Sequence, residues 1–281
     1  MANKLALKKV RIGKINYVNT VPFYHGFSEM NHVDICSTGS PSEINQAMRN
    51  GEIDIAPVSS LEYAMRFDEY LIFPELCVGS RDFARSVLLL SQEKINGLDG
   101  QKIVLTNQSF SSQALLKILL HFRYGFKNSF EVSDQSLDDL LARNQSVLSI
   151  GNEALFFKPN KFVYKYDLSE LWWSWTNLPF CFALWVVRKK FYELYREETV
   201  NFFRELKAVT ERNLLNLEQL IKESLEITIA DERFTSVFGY LFNLSYLIDD
   251  EVKKGLLLFY RYANDLGILP HVPELNFIEG A

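Results

Sequence analysis

The sequence predicts an α/β protein of two lobes that ends in a helical region. Strand and helix patterns alternate over the first 65 residues, which favours a mostly parallel sheet with covered faces. Two apolar strands, near residues 86–91 and 182–187, bracket a second strand-turn-helix series, so we expect the chain to cross to a second lobe and return. From Phe191 to Leu266, apolar residues recur at spacings of three and four, which indicates helices. A single α/β domain without a hinge is the alternative.

The first strand is predicted at Val10–Ile15, and the turn-forming stretch 16–22 follows it. Ser42 occupies the position of an N-cap before a helix over 43–49, which Asn50-Gly51 ends. Further strands are predicted at 52–58, 86–91, 102–105, 147–150 and 180–187, and further helices begin at Leu61 and Gln113. The chain shows no internal sequence repeat. We expect residues 1–88 and 187–281 to form lobe 1, residues 89–186 to form lobe 2, and a ligand cleft to lie between them.

Composition and charge exclude several classes of function. The chain has 281 residues, 48% of them hydrophobic, and 30 basic against 35 acidic side chains give a net charge of −5. A mildly acidic chain without a basic cluster predicts no nucleic-acid partner. No apolar run approaches the ~18–20 residues of a membrane helix, so no membrane association is expected. The stretch Met1–Arg11 lacks the apolar segment of a secretory signal, which predicts a cytoplasmic protein, and the sequence leaves the oligomeric state open.

The cysteines and histidines predict neither a disulfide framework nor a metal site. Cys36, Cys77 and Cys181 are odd in number and widely spaced, which is typical of reduced thiols in a cytosolic protein. The four histidines show no ligand spacing. We therefore expect no metal, and the chemistry has to come from other side chains.

Polar residues follow several strands, at the point where open α/β sheets bind their ligands. The stretch Thr106–Ser112 is rich in hydroxyl and amide side chains and directly precedes a helix. Unpaired N–H groups at a helix start favour a carboxylate or phosphate, and Ser109, Ser111 and Ser112 add donors. An ordinary N-cap with solvated serines is the alternative interpretation.

Three shorter stretches have the same placement after a strand: Ser59-Ser60, Gly151-Asn152 and the segment around Asn19. Helix capping is the alternative explanation for the first two, and an Asx turn is the alternative for Asn19. In a protein of two lobes these loops would converge on one cleft. No His lies near a strand end that also carries an acid, so the sequence does not support a serine nucleophile.

Seven segments occur in an order that matches a known family. They are 13–22 (GKINYVNTVP), 41–45 (PSEIN), 53–64 (IDIAPVSSLEYA), 86–89 (SVLL), 98–100 (LDG), 106–112 (TNQSFSS) and 175–188 (WTNLPFCFALWVVR). Together they resemble the chorismate dehydratase family, MqnA, of the futalosine route to menaquinone. The resemblance runs from about residue 10 to 190, and the C-terminal helices agree with the family only in length and character.

The resemblance implies a fold like that of type II periplasmic solute-binding proteins, with two α/β lobes joined by two crossing strands. It also implies a hydro-lyase, in which chorismate loses its C4 hydroxyl and its C3 hydrogen to give 3-[(1-carboxyvinyl)oxy]benzoate. No metal or organic cofactor is implied. In this family the enolpyruvyl carboxylate of the substrate is thought to take the ring proton itself, and the protein holds that carboxylate in place.

The family motifs imply roles for ten residues. Asn19 and Ser86 are implied as the catalytic residues that orient groups next to the reacting centre. Carboxylate binding is implied for Thr106, Ser109, Ser111 and Ser112, and the remainder of the substrate pocket for Ser59, Ser60, Gly151 and Asn152. One position departs from the family, which usually has Asp where this chain has Asn152; Asn caps a helix about as well.

Two other functions are compatible with the sequence. The same lobes and cleft occur in non-catalytic receptors for small carboxylates, although the lack of a secretory signal argues against a receptor. A sibling enzyme that makes 1,4-dihydroxy-6-naphthoate shares the fold. That family has a histidine near the comparable Ile-Xaa-Glu stretch, and residues 150–153 contain none.

Overall fold

The computed structural model describes residues 9–27, 32–143, 145–158 and 163–280. These residues form two β-sheets with helices packed against them. The strands of the first sheet are β1 (Val10–Ile15), β2 (Val33–Gly39), β3 (Ile55–Ser59), β4 (Tyr70–Ser80), β10 (Phe180–Arg188) and β11 (Leu244–Ser245). The strands of the second sheet are β5 (Val87–Ser91), β6 (Lys102–Thr106), β7 (Ser129–Ser133), β8 (Ser146–Ile150) and β9 (Tyr164–Asp167).

The two sheets share one topology. The spatial order is β11-β4-β10-β3-β1-β2 in the first sheet and β7-β6-β8-β5-β9 in the second. In each sheet three neighbouring strands run parallel, and the next strand, β10 or β5, pairs antiparallel with both of its neighbours. Both β10 and β5 are the strands that the chain forms directly after crossing from the other sheet. The sequence shows no trace of this structural repeat.

The described helices are distributed between the two sheets and a C-terminal group. They are α1 (Val21–Tyr24), α2 (Pro41–Asn50), α3 (Ser60–Met65), α4 (Phe110–Ile118), α5 (Leu137–Ala142), α6 (Gly151–Leu155), α7 (Leu168–Thr176), α8 (Lys189–Leu194), α9 (Arg196–Leu215), α10 (Leu217–Leu225), α11 (Phe234–Asn243) and α12 (Asp250–Asp265). The predicted helical region after residue 191 is confirmed, with β11 as a short interruption. Among the residues that the structure describes, no helix has the length and apolar character to cross a membrane.

The chain crosses between the sheets twice, once between β4 and β5 and once between α7 and β10. The lobe boundaries expected from the sequence, after residues 88 and 186, stay a prediction. Because β5 lies wholly in the second sheet and β10 wholly in the first, we propose boundaries within 80–87 and 176–180.

The start of α2 corrects one sequence expectation. Ser40, and not Ser42, is the N-cap: its side chain accepts the N–H of Glu43, and the Glu43 carboxylate accepts the N–H of Ser40. This reciprocal pair, together with Pro41 in the first turn, stabilises a start two residues earlier than expected. The predicted end is confirmed, since Gly51 has a φ of 70° and terminates the helix.

The two lobes share a hydrophobic core on one face of the first sheet. That core contains Val58 and Phe259 from the first lobe and Leu115 from the second, and Trp172 and Phe180 join the two parts. A separate core on the opposite face packs the sheet against the C-terminal helices. Apolar packing therefore fixes the lobes relative to each other, and the loops at the strand ends meet in a defined arrangement.

Candidate active site

A cavity lies where the strand ends of the two sheets face each other. Its interior offers water-sized molecules about 50 Å³, and the space reaches about 570 Å³ once the open solvent at its mouth is included. Six of the ten residues expected from the sequence line it: Asn19, Ser59, Ser86, Ser109, Ser112 and Gly151. Apolar side chains complete the lining, among them Ile15, Val87, Ile150 and Phe182. Within the described part of the chain, no lining residue carries a formal charge.

The shared topology explains why these residues meet. The loops that follow β1 and β3 in the first sheet correspond to the loops that follow β6 and β8 in the second. Parallel strands of one sheet end at one edge, so each lobe presents two loops to the cleft. The first lobe contributes Asn19 and Ser59, and the second contributes Ser109, Ser112 and Gly151.

Ser59 is held so that its hydroxyl hydrogen is available to the cavity. Its Oγ accepts the N–H of Glu62 at 3.3 Å, as the N-cap of α3, and accepts Nδ2 of Asn45 at 3.1 Å. A hydroxyl has two acceptor positions and one hydrogen, so both acceptor positions are used. Asn45, which is 1% exposed, was not expected from the sequence; the signal that could have found it is an amide among the apolar residues of α2.

The backbone on both sides of Ser86 is fixed by hydrogen bonds. Before it, Arg85 has a φ of 54°, which strains a residue with a side chain, and its N–H donates to Oδ2 of Asp167 at 2.5 Å. The N–H of Ala84 donates to Oδ1 of the same carboxylate at 3.2 Å. After it, the carbonyl oxygen of Ser86 accepts the N–H of Gly151 at 2.8 Å.

Asp167 is a buried carboxyl that no sequence motif selects. Burial raises its pKa to about 6, although hydrogen bonds from four backbone N–H groups, those of Arg85 and Ala84 among them, act to lower it. Asp167 also caps α7 through the N–H groups of Ser169 and Glu170. One side chain thus joins the start of a helix to the segment that places Ser86.

The side chains of Ser86 and Asn19 are each held by a buried tyrosine. The Tyr240 hydroxyl donates to Oγ of Ser86 at 2.8 Å, and the Tyr246 hydroxyl donates to the backbone oxygen of Asn19 at 3.0 Å. Oδ1 of Asn19 is buried and has no hydrogen-bond partner among the described residues. A buried acceptor without a donor is costly, so a ligand that donates a hydrogen bond there would be stabilised.

Ser109 and Ser112 form the start of α4. Ser109 is its N-cap: Oγ accepts the N–H of Ser112 at 3.3 Å and lies 3.1 Å from the hydroxyl of Ser112. The expectation that this helix begins at Gln113 is wrong, because Ser109 adopts an extended backbone and the helix starts at Phe110. The cavity therefore meets two hydroxyls at the positive end of a helix of nine residues, which favours a carboxylate.

Four expected residues lie outside the cavity lining, and their substrate-binding role stays a prediction. Ser60 and Ser111 are fully buried against each other, with 3.2 Å between their hydroxyl oxygens. Oγ of Ser111 also accepts the N–H of Leu61 at 2.8 Å. Oγ1 of Thr106 accepts the N–H of Gln108 at 3.2 Å. Each of these contacts is made within the protein.

Asn152 is the fourth, and its contacts give a physical account of the departure from the family. Oδ1 accepts the N–H of Val18 at 3.0 Å, and Nδ2 donates to the carbonyl oxygen of Asn16 at 3.4 Å. A carboxylate in this position would accept the first bond and could not donate the second. The amide therefore adds a contact between the two lobes.

Several contacts of this kind connect the loops of one lobe to the loops of the other. We call them the lobe-joining contacts; they are Tyr17 Oη to Gln108 Oε1 at 2.5 Å, Ser42 Oγ to Asn107 O at 2.9 Å, Leu61 N to Ser111 Oγ, and Val18 N to Asn152 Oδ1. Burial, together with the nearby charges of Glu153 and Glu43, raises the pKa of Tyr17, so its hydroxyl stays a donor.

Tyr17 also covers Gly151 at the cavity. Gly151 has a φ of 65°, and a Cβ placed on it would lie 2.6 Å from Cζ of the Tyr17 ring. Only glycine permits both this backbone conformation and this close approach. The lobe-joining contacts and this packing together close the lobes over the cavity.

Over the residues that the structure describes, no group of three or more His, Cys, Asp or Glu side chains is arranged to hold a metal ion. Cys77 and Cys181 are buried free thiols and Cys36 is an exposed one. The polar groups that the cavity offers a ligand are hydroxyl, amide and backbone N–H groups.

Comparisons with known proteins agree with this fold. The curated chorismate dehydratase of Thermus thermophilus is 29% identical over 288 residues, a match that covers 93% of this chain and 96% of that protein. The crystal structure of protein AF1704 from Archaeoglobus fulgidus superposes with a TM-score of 0.71 at 17% identity, covering 93% of this chain and 98% of that one. The periplasmic aliphatic sulphonate binding protein SsuA from Escherichia coli superposes with a TM-score of 0.60 at 12% identity, covering 98% and 95%.

These structural matches confirm the predicted two-lobed fold of the periplasmic-binding-protein type. The family model described as menaquinone biosynthesis matches residues 10–265. The match extends beyond the segments that carried the sequence resemblance and includes the C-terminal helices. It confirms that resemblance, and the chain belongs to the menaquinone biosynthesis family.

Proposed function

We propose that this protein is a chorismate dehydratase, a hydro-lyase that converts chorismate to 3-[(1-carboxyvinyl)oxy]benzoate and water in the futalosine route to menaquinone. Two findings support the proposal: membership of the menaquinone biosynthesis family, and the Thermus thermophilus relative named chorismate dehydratase, which matches over 93% of this chain. The observation that carries it is an uncharged cavity between the lobes whose hydroxyl hydrogens and helix N-terminus face a space suited to a small anion.

The polar lining suits the two carboxylates of chorismate. A carboxylate taken out of water needs several hydrogen-bond donors, because burying an unpaired charge is costly. Ser59 has both acceptor positions occupied and presents a hydrogen. Ser109 and Ser112 present the start of α4, where the helix dipole favours negative charge. Donors of this kind bind a carboxylate without removing its basicity as completely as a paired arginine would.

The lack of a charged base in the lining supports a substrate-assisted proton transfer. In this mechanism the enolpyruvyl carboxylate takes the C3 hydrogen as a proton, and the electron pair of the C–H bond enters the ring. The C4–O bond breaks, the ring becomes aromatic, and the departing hydroxide and the abstracted proton form water. The protein contributes position: holding the carboxylate against the C3 hydrogen is worth about 7–11 kcal/mol in favourable intramolecular reactions.

In the proposed reaction, Asn19 and Ser86 act on the departing hydroxyl. The unpaired Oδ1 of Asn19 accepts the hydrogen of the C4 hydroxyl in the bound substrate. The Ser86 hydroxyl donates its hydrogen to the C4 oxygen, on which negative charge develops as the C–O bond breaks. Together, one acceptor and one donor match the two hydrogen-bonding capacities of a hydroxyl.

The proposal includes a cytoplasmic location and a small-molecule substrate as the partner. Three free thiols support a reducing compartment. The negative net charge of −5 argues against binding nucleic acid.

The test is to incubate the purified protein with chorismate and follow the products by ultraviolet absorbance and mass spectrometry. We expect a new aromatic product that is one water lighter than chorismate and keeps the enolpyruvyl ether. Tight binding of unchanged chorismate would instead indicate a receptor of the same fold. Formation of 1,4-dihydroxy-6-naphthoate from its own precursor, with no action on chorismate, would indicate the sibling enzyme.

A further inference from the structure

Tyr240 lies next to the cavity, although no motif in the sequence selects it. It is on α11, is 2% exposed, and is separated from Ser86 by 154 positions along the chain. We propose that Tyr240 is a positioning residue for the dehydration: it donates to Oγ of Ser86 and thereby directs the hydroxyl hydrogen of Ser86 into the cavity. This inference rests on the proposed function and assigns a part of the same site.

The number of hydroxyl hydrogens supports a hydrogen bond that Tyr240 donates to Ser86. Tyr240 and Ser86 each have one hydroxyl hydrogen, and only one of the two can lie between the oxygens 2.8 Å apart. If Ser86 were the donor, the Tyr240 hydrogen would need another acceptor. Oδ1 of Asn19 has no hydrogen-bond partner among the described residues, so it does not take that hydrogen.

The surroundings of Tyr240 keep it a donor. Burial raises the pKa of its hydroxyl, against the opposing influence of Ser86 and of Asn19, so the phenol stays protonated over the working range of an enzyme. The geometry shows one hydrogen bond of the Tyr240 hydroxyl, the one that it donates to Ser86. Since this bond occupies an acceptor position of Ser86, the hydrogen of Ser86 is left for the cavity.

The contact connects two packed parts of the fold. Gly239 of α11 faces the residue before Ser86, since a Cβ there would lie 3.3 Å from Nη1 of Arg85. Tyr240 belongs to the core that packs the C-terminal helices on the first sheet, and Ser86 belongs to the crossing into the second sheet. A donor fixed before the substrate arrives needs no reorganisation during the reaction.

The experiment compares Tyr240→Phe with a matched control, Tyr24→Phe. Both variants keep the aromatic ring and remove one buried hydroxyl that donates at 2.8 Å; in Tyr24 the acceptor is the carbonyl oxygen of Gly13, and Tyr24 is not among the lining residues. We expect Tyr240→Phe to lower kcat for chorismate about 10–100-fold, with KM changed less than about threefold. Tyr24→Phe should lose a comparable amount of thermal stability and keep the wild-type kcat.

A double-variant cycle separates positioning from general damage. If Tyr240 acts through Ser86, the combination Ser86→Ala with Tyr240→Phe has the kcat of Ser86→Ala alone. Effects that multiply would overturn the inference, and so would a Tyr240→Phe variant with wild-type kcat. A wild-type protein that binds chorismate without converting it would refute the proposed function separately. The cycle would then be measured on the dissociation constant, where coupled effects support the contact and additive effects overturn its role.

Discussion

Two groups of polar residues meet at the cleft. Their members are neighbours in the sequence, but the two groups contact different partners. The cavity-lining group faces the space between the lobes, and the lobe-joining contacts connect one lobe to the other. Ser59 lines the cavity while Ser60 contacts Ser111, and Ser112 lines the cavity one position after Ser111. Consecutive residues at a helix start point about 100° apart, so neighbouring serines face different partners.

The difference shows how one loop serves both binding and closure. A residue that lines the cavity has its spare hydrogen or lone pair directed at a ligand, as Ser59 and Asn19 do. A residue in a lobe-joining contact uses its hydrogen-bonding group to contact the other lobe, as Ser111 and Asn152 do. Substitutions in the first group should therefore lower kcat, and substitutions in the second should chiefly raise KM.

The largest expected effect is in the cavity-lining group. Ser86→Ala and Asn19→Ala should each lower kcat about 10²–10³-fold, because each removes a hydrogen bond to the oxygen that leaves. The measurement is steady-state turnover of chorismate, with the melting temperature as a check on folding.

The matched control for Ser86→Ala is Ser91→Ala. Ser91 is at the other end of β5, is 1% exposed, and pairs with the hydroxyl of Ser146 at 2.9 Å. It should lose stability and keep wild-type turnover. Equal turnover in Ser86→Ala, Asn19→Ala and the control would remove both residues from the reaction.

The next effect tests the packing of Tyr17 on Gly151. Gly151→Ala adds a methyl group 2.6 Å from Cζ of the Tyr17 ring and should displace the ring and the closed lobes with it. We expect kcat/KM to fall about 10–100-fold, since small misplacements of reacting groups cost up to that much. The comparison is made by steady-state kinetics.

Gly125→Ala provides the control for backbone strain. Gly125 has a φ of 72°, close to the 65° of Gly151, but a Cβ on it would meet nothing within 4 Å. Both variants suffer the cost of a left-handed backbone, and only one displaces Tyr17. If the two variants lose activity equally, then closure by Tyr17 has no part in the effect.

How far the sequence predicted this arrangement depends on the range of the interactions. Local patterns predicted the polar loops at the ends of β1, β3, β6 and β8, because a hydrophobic run and the turn residues after it lie within a few positions of each other in the sequence. They missed β4, in which Pro74 and a left-handed Glu75 interrupt the alternation and shift the register against β10. They also missed the partners that hold the site, such as Tyr240 and Asp167, which are 154 and 82 positions from the groups they bind.

A smaller effect is expected in the lobe-joining contacts. Ser111→Ala removes the acceptor of the Leu61 N–H, a contact between α3 and α4. Leaving that buried N–H unpaired costs on the order of 1 kcal/mol in the closed form, the lower end of the usual range, so KM should rise about fivefold while kcat changes little. The comparison variant is Ser112→Ala, which removes the adjacent hydroxyl. Because Ser112 lines the cavity, this variant should lower kcat as well.

The same kinetic measurements decide whether the two groups differ. If Ser111→Ala and Ser112→Ala changed KM and kcat in the same proportions, neighbouring serines would share one role. The distinction between lining the cavity and joining the lobes would then have no kinetic meaning.

The smallest effect concerns Asp167, which belongs to neither group and holds the segment before Ser86. Its pKa is raised to about 6 in the folded protein, against about 3.9 in an unfolded chain, so the folded state binds the proton more tightly. The contribution of the protonated carboxyl to the free energy of unfolding is fully present below about pH 4. It is lost as the pH rises through 6, because the carboxyl then ionises and burial disfavours its charge. The free energy of unfolding should therefore fall over this range, by at most about 3 kcal/mol from this group.

The measurement is the pH dependence of unfolding by denaturant for the wild type and Asp167→Asn. The amide cannot ionise, so the stability difference between the two proteins should narrow from pH 4 to 6 while other titrating groups cancel. Asp231→Asn gives the contrast, because Arg233 lowers the pKa of the exposed Asp231 to about 2 and the difference there should grow as the pH rises. A difference for Asp167 that widens with pH would mean that its four N–H donors outweigh burial and stabilise the carboxylate.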